Sequence, residues 1–304
     1  MENSALPLSP RTDVPAVGRR SRPGPDTGKR LAQRARAYGV PALLFGLFIV
    51  EVGVPLVMAV LWSLVDPEHP WSFPDAFPRY LSFYQWQYVF KYTGVVPAIV
   101  TSFSLASVST LLAFGLALPT AYAIGRYDFL GKDLIRILIL LPIVLPGMIV
   151  ALFLSRVFGF FGLSQTFLGL ALGHTLLGLP FMLRLLSTSF QAIPQEIADA
   201  AANLGASELV RFREIYIPMV LPGIFAGAIF TFISSMEEFA LTFVIGTPTF
   251  QTIPTILFSF LGYNFVRTHA AVVALVLMVP NITLLFLADR LLKVDFLSAA
   301  YGKL

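Results

Sequence analysis

Six stretches of the chain, residues 97–124, 137–155, 157–183, 215–236, 239–266 and 268–288, contain no Asp, Glu, Lys or Arg. Each reaches the roughly 18 residues that a helix needs to cross a bilayer. Residues 40–65 form a further apolar run, interrupted only by Glu51 and long enough for a first span. The breakers Gly246, Thr247, Pro248, Thr249 and Pro254 end a helix near Gly246. The pattern therefore predicts six helices, at about residues 41–65, 97–125, 137–155, 166–185, 220–246 and 270–289. Residues 250–266 are left as an external loop or a re-entrant element.

Composition agrees with this reading and excludes an ordinary soluble enzyme. Of the 304 residues 57% are hydrophobic and 12% charged, against roughly 25% charged in soluble domains. There is no Cys, so a disulfide framework, a thiolate metal site and a catalytic thiol are all closed off. Orientation comes from where the cations fall. Eight of the 21 Lys and Arg lie in the first 37 residues, and three each lie near the second loop, the fourth loop and the C-terminus. The other side holds only Arg79, Lys91, Arg156 and Arg267. An excess of Lys and Arg marks the cytoplasmic side, which puts both termini and the loop between spans four and five in the cytoplasm. A seventh span through 250–266 would throw Arg290 and Lys293 outside.

Residues 1–37 are rich in Pro, Gly and Arg without periodicity, which predicts a disordered basic tail. It either fixes orientation or is drawn to anionic headgroups. No signal-peptide cleavage pattern is expected, because the first long apolar run is itself a full span. Residues 38–304 are expected to form the membrane domain.

The fourth loop, about residues 194–218, reads as two short helices. Pro194 suits a helix start, and Gln195, Glu196 and Asp199 set acceptors and negative charge near the positive end of the dipole. Gly205 supplies the positive φ that ends the first helix, Ser207 can cap a second, and Pro218 limits that one. Ile197, Ala201, Leu204, Leu209, Phe212 and Tyr216 follow helical spacing, so the hairpin presents an apolar face suited to a partner or to its own membrane domain. The turn also looks like that of a DNA-binding helix-turn-helix. Only Arg211 and Arg213 are basic there, offset by Glu208 and Glu214, so nucleic-acid affinity is not expected.

Asp199-Ala200-Ala201, then Gly205, then Ile215-Tyr216-Ile217-Pro218 resembles the cytoplasmic signature of permease subunits of binding-protein-dependent ABC importers, an E-A-A, Gly, I-x-L-P pattern. Spacing is kept while Asp replaces Glu and Ile replaces Leu. Residues 121–132, Ala-Tyr-Ala-Ile-Gly-Arg-Tyr-Asp-Phe-Leu-Gly-Lys, are similar to that family's A-Y-A-x-x-R-x-x-F-x-G-K/R junction, and residues 140–146 and 173–180 are further echoes. The resemblance covers about residues 97–288. It implies an all-α integral membrane protein of type I importer architecture, with six spans and a cytoplasmic coupling hairpin, in a bacterial inner membrane. It implies that Glu196, Asp199, Ala200, Ala201, Gly205, Ile215 and Pro218 belong to a segment that seats in an ATPase subunit. The partners implied are a second permease as a heterodimer, two ATPase subunits, an external solute-binding protein and membrane lipid.

Carboxylates inside spans are functional candidates. Glu237 and Glu238 are adjacent and diverge by about 100° on a helix, so one can face a solute path while the other meets a neighbouring helix or partner. Ser234-Ser-Met-Glu-Glu-Phe239 is similar to an S-F-D-D/E-F stretch in spermidine/putrescine-type permeases, which implies a polyamine substrate; sister branches carry sugars, phosphonates, opines and other small solutes on the same scaffold, and that alternative stays open. Glu51 is read as a hydrogen-bonded core carboxyl or a transport group, and His174 as a helix-to-helix hydrogen bonder, with no partner at i+3 or i+4 for a metal pair. No G-x-x-x-x-G-K-[ST] phosphate loop occurs, so no cofactor is expected in this chain and ATP with Mg²⁺ belongs to partner subunits. An intramembrane enzyme would need a Ser/His pair, a H-E-x-x-H or paired Asp residues, and a secondary transporter or channel would favour half-repeats. None of these is visible.

Overall fold

A computed structural model describes residues 27–293, with side chains described from 38 to 290. It divides into two units, residues 1–55 and 56–304. The described part of the first unit is the start of helix α1, Thr27–Ser63, whose apolar portion is Tyr38–Ser63. The tail expected to be disordered over 1–37 lies outside the described residues up to 26, and from Thr27 its backbone is already helical. Glu51 lies on α1 in the first unit, where its side chain is exposed.

The second unit is a bundle. After a short helix α2 (Tyr84–Tyr92), three long helices, α3 (Val95–Arg126), α6 (Phe167–Gln191) and α9 (Ile217–Glu237), pack against one another, and α11 (Arg267–Lys293) lies along α9. Small residues let them approach. Ala113, Ala117 and Ala121 form a fully buried stripe on α3. A Cβ on Gly223 would stand 2.0 Å from Ser189 Oγ, and one on Gly227 2.7 Å from Met182 Sδ. Close backbone contact of this kind is the usual way membrane helices gain packing energy without a hydrophobic drive.

Two spans depart from the sequence expectation. The third is a bent pair, α4 (Lys132–Val144) and α5 (Gly147–Phe160), meeting at 105°. Leu145 is extended (φ −81°, ψ 139°) because the residue before a proline is pushed out of the helical region, and Pro146 then starts the second arm. The fifth stops at Glu237 instead of 246. Glu238 turns extended (ψ 123°), and its side chain caps a new helical turn that ends at Gly246. With the bent pair taken as one span, the described residues hold six membrane-spanning elements. Residues 253–263 form only a short apolar helix, α10 (Ile253–Phe258) plus one π-helical turn, of a length below that needed to cross.

Candidate functional site

The hairpin folds as its residues dictate. Its first arm is α7, Gln195–Asn203, followed by Leu204 and Gly205 at φ +85°. The Gly205 N–H donates to Ala202 O at 2.9 Å and the Ala206 N–H to Ala201 O at 3.0 Å, which satisfies carbonyls the helix end would leave bare. Ser207 then caps α8, Glu208–Arg211, accepting from the Val210 N–H. Here the expected stop at Pro218 fails. Pro218 cannot donate, and its ring would press on the carbonyl four residues back. One π-helical turn, Phe212–Tyr216, takes up the mismatch by sending the Ile217 N–H to the Phe212 carbonyl, and the chain runs on as α9. Ile215 is half-buried on that turn and Pro218 is exposed just beyond it.

The apolar face splits in two. Ala198 and Tyr216 are buried in a cluster with Ala121, Ile124, Phe190 and Val220, and Phe212 packs against it. Leu204 and Leu209 remain 89% and 75% exposed. Glu196, Asp199 and Ala200 are exposed as well, with Ala201 half-buried.

What holds the hairpin is a junction that sequence reasoning recognised as a motif but gave no role. Arg126, the last residue of α3, donates to Ile193 O at 2.7 Å and Phe190 O at 3.4 Å, and also to Gln195 Oε1. Its guanidinium lies 4.9 Å from the centre of the Tyr216 ring. Gln195 donates in turn to Asp199 at 3.0 Å. The carboxylate at the position where the family pattern has Glu is therefore joined through Gln195 to α3. Tyr127 donates to Glu208 at the head of α8, and Tyr122 donates to the same carboxylate at 3.4 Å. The Tyr122 ring meets Phe190, Phe212 and Tyr216 edge-on. Lys132 closes the turn, donating to Tyr127 O at 2.9 Å and Asp128 at 2.8 Å, and its ammonium holds the Asp128 carboxyl below the usual carboxylate range.

At the opposite end of α9 the two carboxylates part. Glu238 accepts from the Leu241 and Thr242 N–H groups at 2.8 and 3.2 Å and lies 3.6 Å from His174 Nε2, with its side chain 8% exposed. The fully buried His174 bridges Ser235 Oγ at 2.7 Å and Thr242 Oγ1 at 3.1 Å, and Ser109 Oγ donates to Ser235 Oγ at 3.2 Å. One polar knot thus ties α3, α6 and α9 to the turn after Glu238, in the helix-to-helix role expected of His174. Glu237 is exposed and accepts from Asn281 Nδ2 at 2.8 Å. Asn281 follows Pro280, which lines an open apolar groove of about 520 Å³ with Trp86, Phe90, Phe103 and Phe232.

A long-helix membrane bundle carrying a clasped hairpin between its fourth and fifth spans is a transporter permease fold. Residues 115–293 match the family model described as binding-protein-dependent transport system inner membrane component, and the chain belongs to that family, as a multi-pass inner-membrane protein. Its relatives include a probable molybdenum ABC transporter permease of Haloferax volcanii, 31% identical over 159 residues, 50% of this chain and 59% of the relative. The match thus spans less than two thirds of that relative's length. A spermidine/putrescine transport system permease of Haemophilus influenzae is 24% identical over 205 residues, 67% of this chain and 79% of the relative. Among solved structures, a bacterial ABC transporter involved in import of the acidic polysaccharide alginate superposes with a TM-score of 0.67 at 17% identity, covering 84% of this chain and 97% of that one. That likeness extends to the fold.

Proposed function

We propose that the chain is the non-catalytic permease half of an ATP-driven importer. In this reading it encloses half of a solute path beside a second, different permease, receives solute from an external binding protein, and passes the motion of two ATPase subunits to its helices through residues 195–217. ATP and Mg²⁺ sit on those ATPases. The observation that carries the reading is the hairpin itself, clamped to α3 by Arg126 and Tyr127 while Leu204 and Leu209 are left bare at its tip. An autonomous channel or secondary transporter would leave such a tip without a purpose. Orientation follows the cation count, with both termini cytoplasmic. A reporter fused after Arg213 is expected to read cytoplasmic and one near Pro248 external; the same side for both would remove the six-span topology.

For the solute, the reading is a polyamine, with Glu237 as its contact. A polyamine carries ammonium groups separated by methylenes, and an exposed carboxylate beside an aromatic groove offers a counter-charge and an apolar wall. Glu238 is spent on its cap and on His174, which makes it the structural member of the pair. Higher identity to the molybdenum permease than to the polyamine one supports a second reading, another small solute on the same scaffold. The test is Glu237→Gln and Glu238→Gln, each assayed for uptake of labelled spermidine and for recovery of the intact complex. Glu237→Gln is expected to lower uptake about tenfold to hundredfold, the loss of one charge-assisted contact of roughly 1.5–3 kcal/mol, with recovery unchanged. Glu238→Gln is expected to lower recovery instead. No spermidine uptake by the parent would refute the polyamine and leave the second reading.

A further inference from the structure

At the hairpin end of the bundle, α4 and α6 enclose a cavity of about 380 Å³ that the transport reading does not use. Its polar wall is made by Arg136 of α4 and by Arg184, Ser187, Thr188 and Gln191 of α6, with Arg184, Thr188 and Gln191 at i, i+4 and i+7 on one face. The Thr188 and Ser187 hydroxyls are already given to the Arg184 carbonyl at 2.9 and 3.1 Å, which leaves the two guanidiniums and the Gln191 amide as donors. Arg136 pairs with Asp133 through one nitrogen at 3.1 Å, and that Asp133 side chain is 87% exposed. Among the described residues no carboxylate lies within ion-pair range of Arg184. Deeper along both helices the lining becomes apolar, with Ile139 and Leu140 one turn beyond Arg136 on α4, and Leu183 next to Arg184 and Pro180 one turn before it on α6. A cationic charge set against an apolar wall at a membrane boundary calls for an anion, and planar guanidiniums match phosphate oxygens in pairs.

The geometry points to a binding site for an anionic phospholipid, its phosphate held by Arg136 and Arg184 and the start of an acyl chain laid against Ile139, Leu140 and Leu183. Basic pockets between spanning helices on the cytoplasmic side are a recognised place for such headgroups. The polar-to-apolar order of the lining matches the order of groups in a lipid entering from the leaflet. A free phosphate shares the headgroup chemistry but has nothing to place against the apolar half.

The site is tested on the full chain within its transporter complex, in nanodiscs of phosphatidylcholine with or without phosphatidylglycerol, by counting lipids retained in native mass spectrometry. Phosphatidylglycerol is expected to be retained in preference to phosphatidylcholine. Arg184→Gln is expected to weaken that retention about tenfold or more, and Arg184→Lys, which keeps the charge but not the fork, by less. Should Arg184→Gln fail to assemble, Arg136→Gln makes the same comparison from the half-exposed start of α4. Equal retention of both lipids, or an unchanged preference in the Gln variants, overturns the site. Displacement of the lipid by millimolar inorganic phosphate overturns the membrane as the source of the anion.

Discussion

Gly205→Val is expected to abolish solute-stimulated ATP hydrolysis by the reconstituted transporter while the chain still enters the membrane. The φ of +85° lies in the left-handed region, which L-residues occupy at a penalty of about 1–2 kcal/mol and β-branched ones at more. A Cβ at this position would meet nothing within 4 Å, so the effect is one of backbone conformation and not of crowding. Gly205→Asn supplies the control, because Asn tolerates the same region and is expected to keep most of the activity. Normal co-purification of Gly205→Val with its ATPase, together with full transport, would refute the coupling role of the hairpin.

The second large effect is expected from Arg126→Ala. Three hydrogen bonds from a guanidinium disappear at once, including those to the Phe190 carbonyl in the last turn of α6 and the Ile193 carbonyl just beyond it. Bonds to a charged group contribute roughly 1.5–3 kcal/mol each and are not additive, so an overall loss of about 3 kcal/mol, or about a hundredfold in the population of the docked hairpin, is a fair expectation. Amide hydrogen exchange over residues 195–211 is expected to accelerate, with transport falling in parallel. Arg126→Lys keeps the charge but not the fork and is expected to lie between the two. Unchanged exchange in Arg126→Ala would mean that Tyr127 and Glu208 hold the hairpin without it.

Local chemistry in the chain was readable where a single residue decides a local geometry. Gly205 and Ser207 end and restart a helix through backbone preference and a side-chain cap, and both stand where those rules put them. The breaks at Leu145 and Glu238 were harder to see. Pro142 and Pro146 sit in an unbroken apolar run, and hydrophobicity alone does not register a bend of 105°. Glu238 ends α9 because its carboxylate finds two N–H groups ahead of it, whereas a breaker-based reading placed the end at the glycine and prolines eight residues later. Pro218 illustrates the reverse case, a breaker absorbed by one π-helical turn. Arg126 escaped for a different reason. Its partner Ile193 is 67 residues away, and no window of sequence periodicity reaches that far. The clue lay in a basic motif and a hairpin that were each legible but not visibly connected.

That π-helical turn has a mechanical consequence. Because the helix is not interrupted there, Glu208–Glu237 forms one rod of 30 residues, about 45 Å long at 1.5 Å per residue. If such a rod tilts by ten degrees about its midpoint, its two ends move in opposite directions by about 4 Å each, more than the length of a hydrogen bond. A push on Leu209 at one end therefore arrives at Glu237 as a comparable displacement with its sense reversed. A helix that ended at Pro218 would have cut that lever between Leu209 and its pivot.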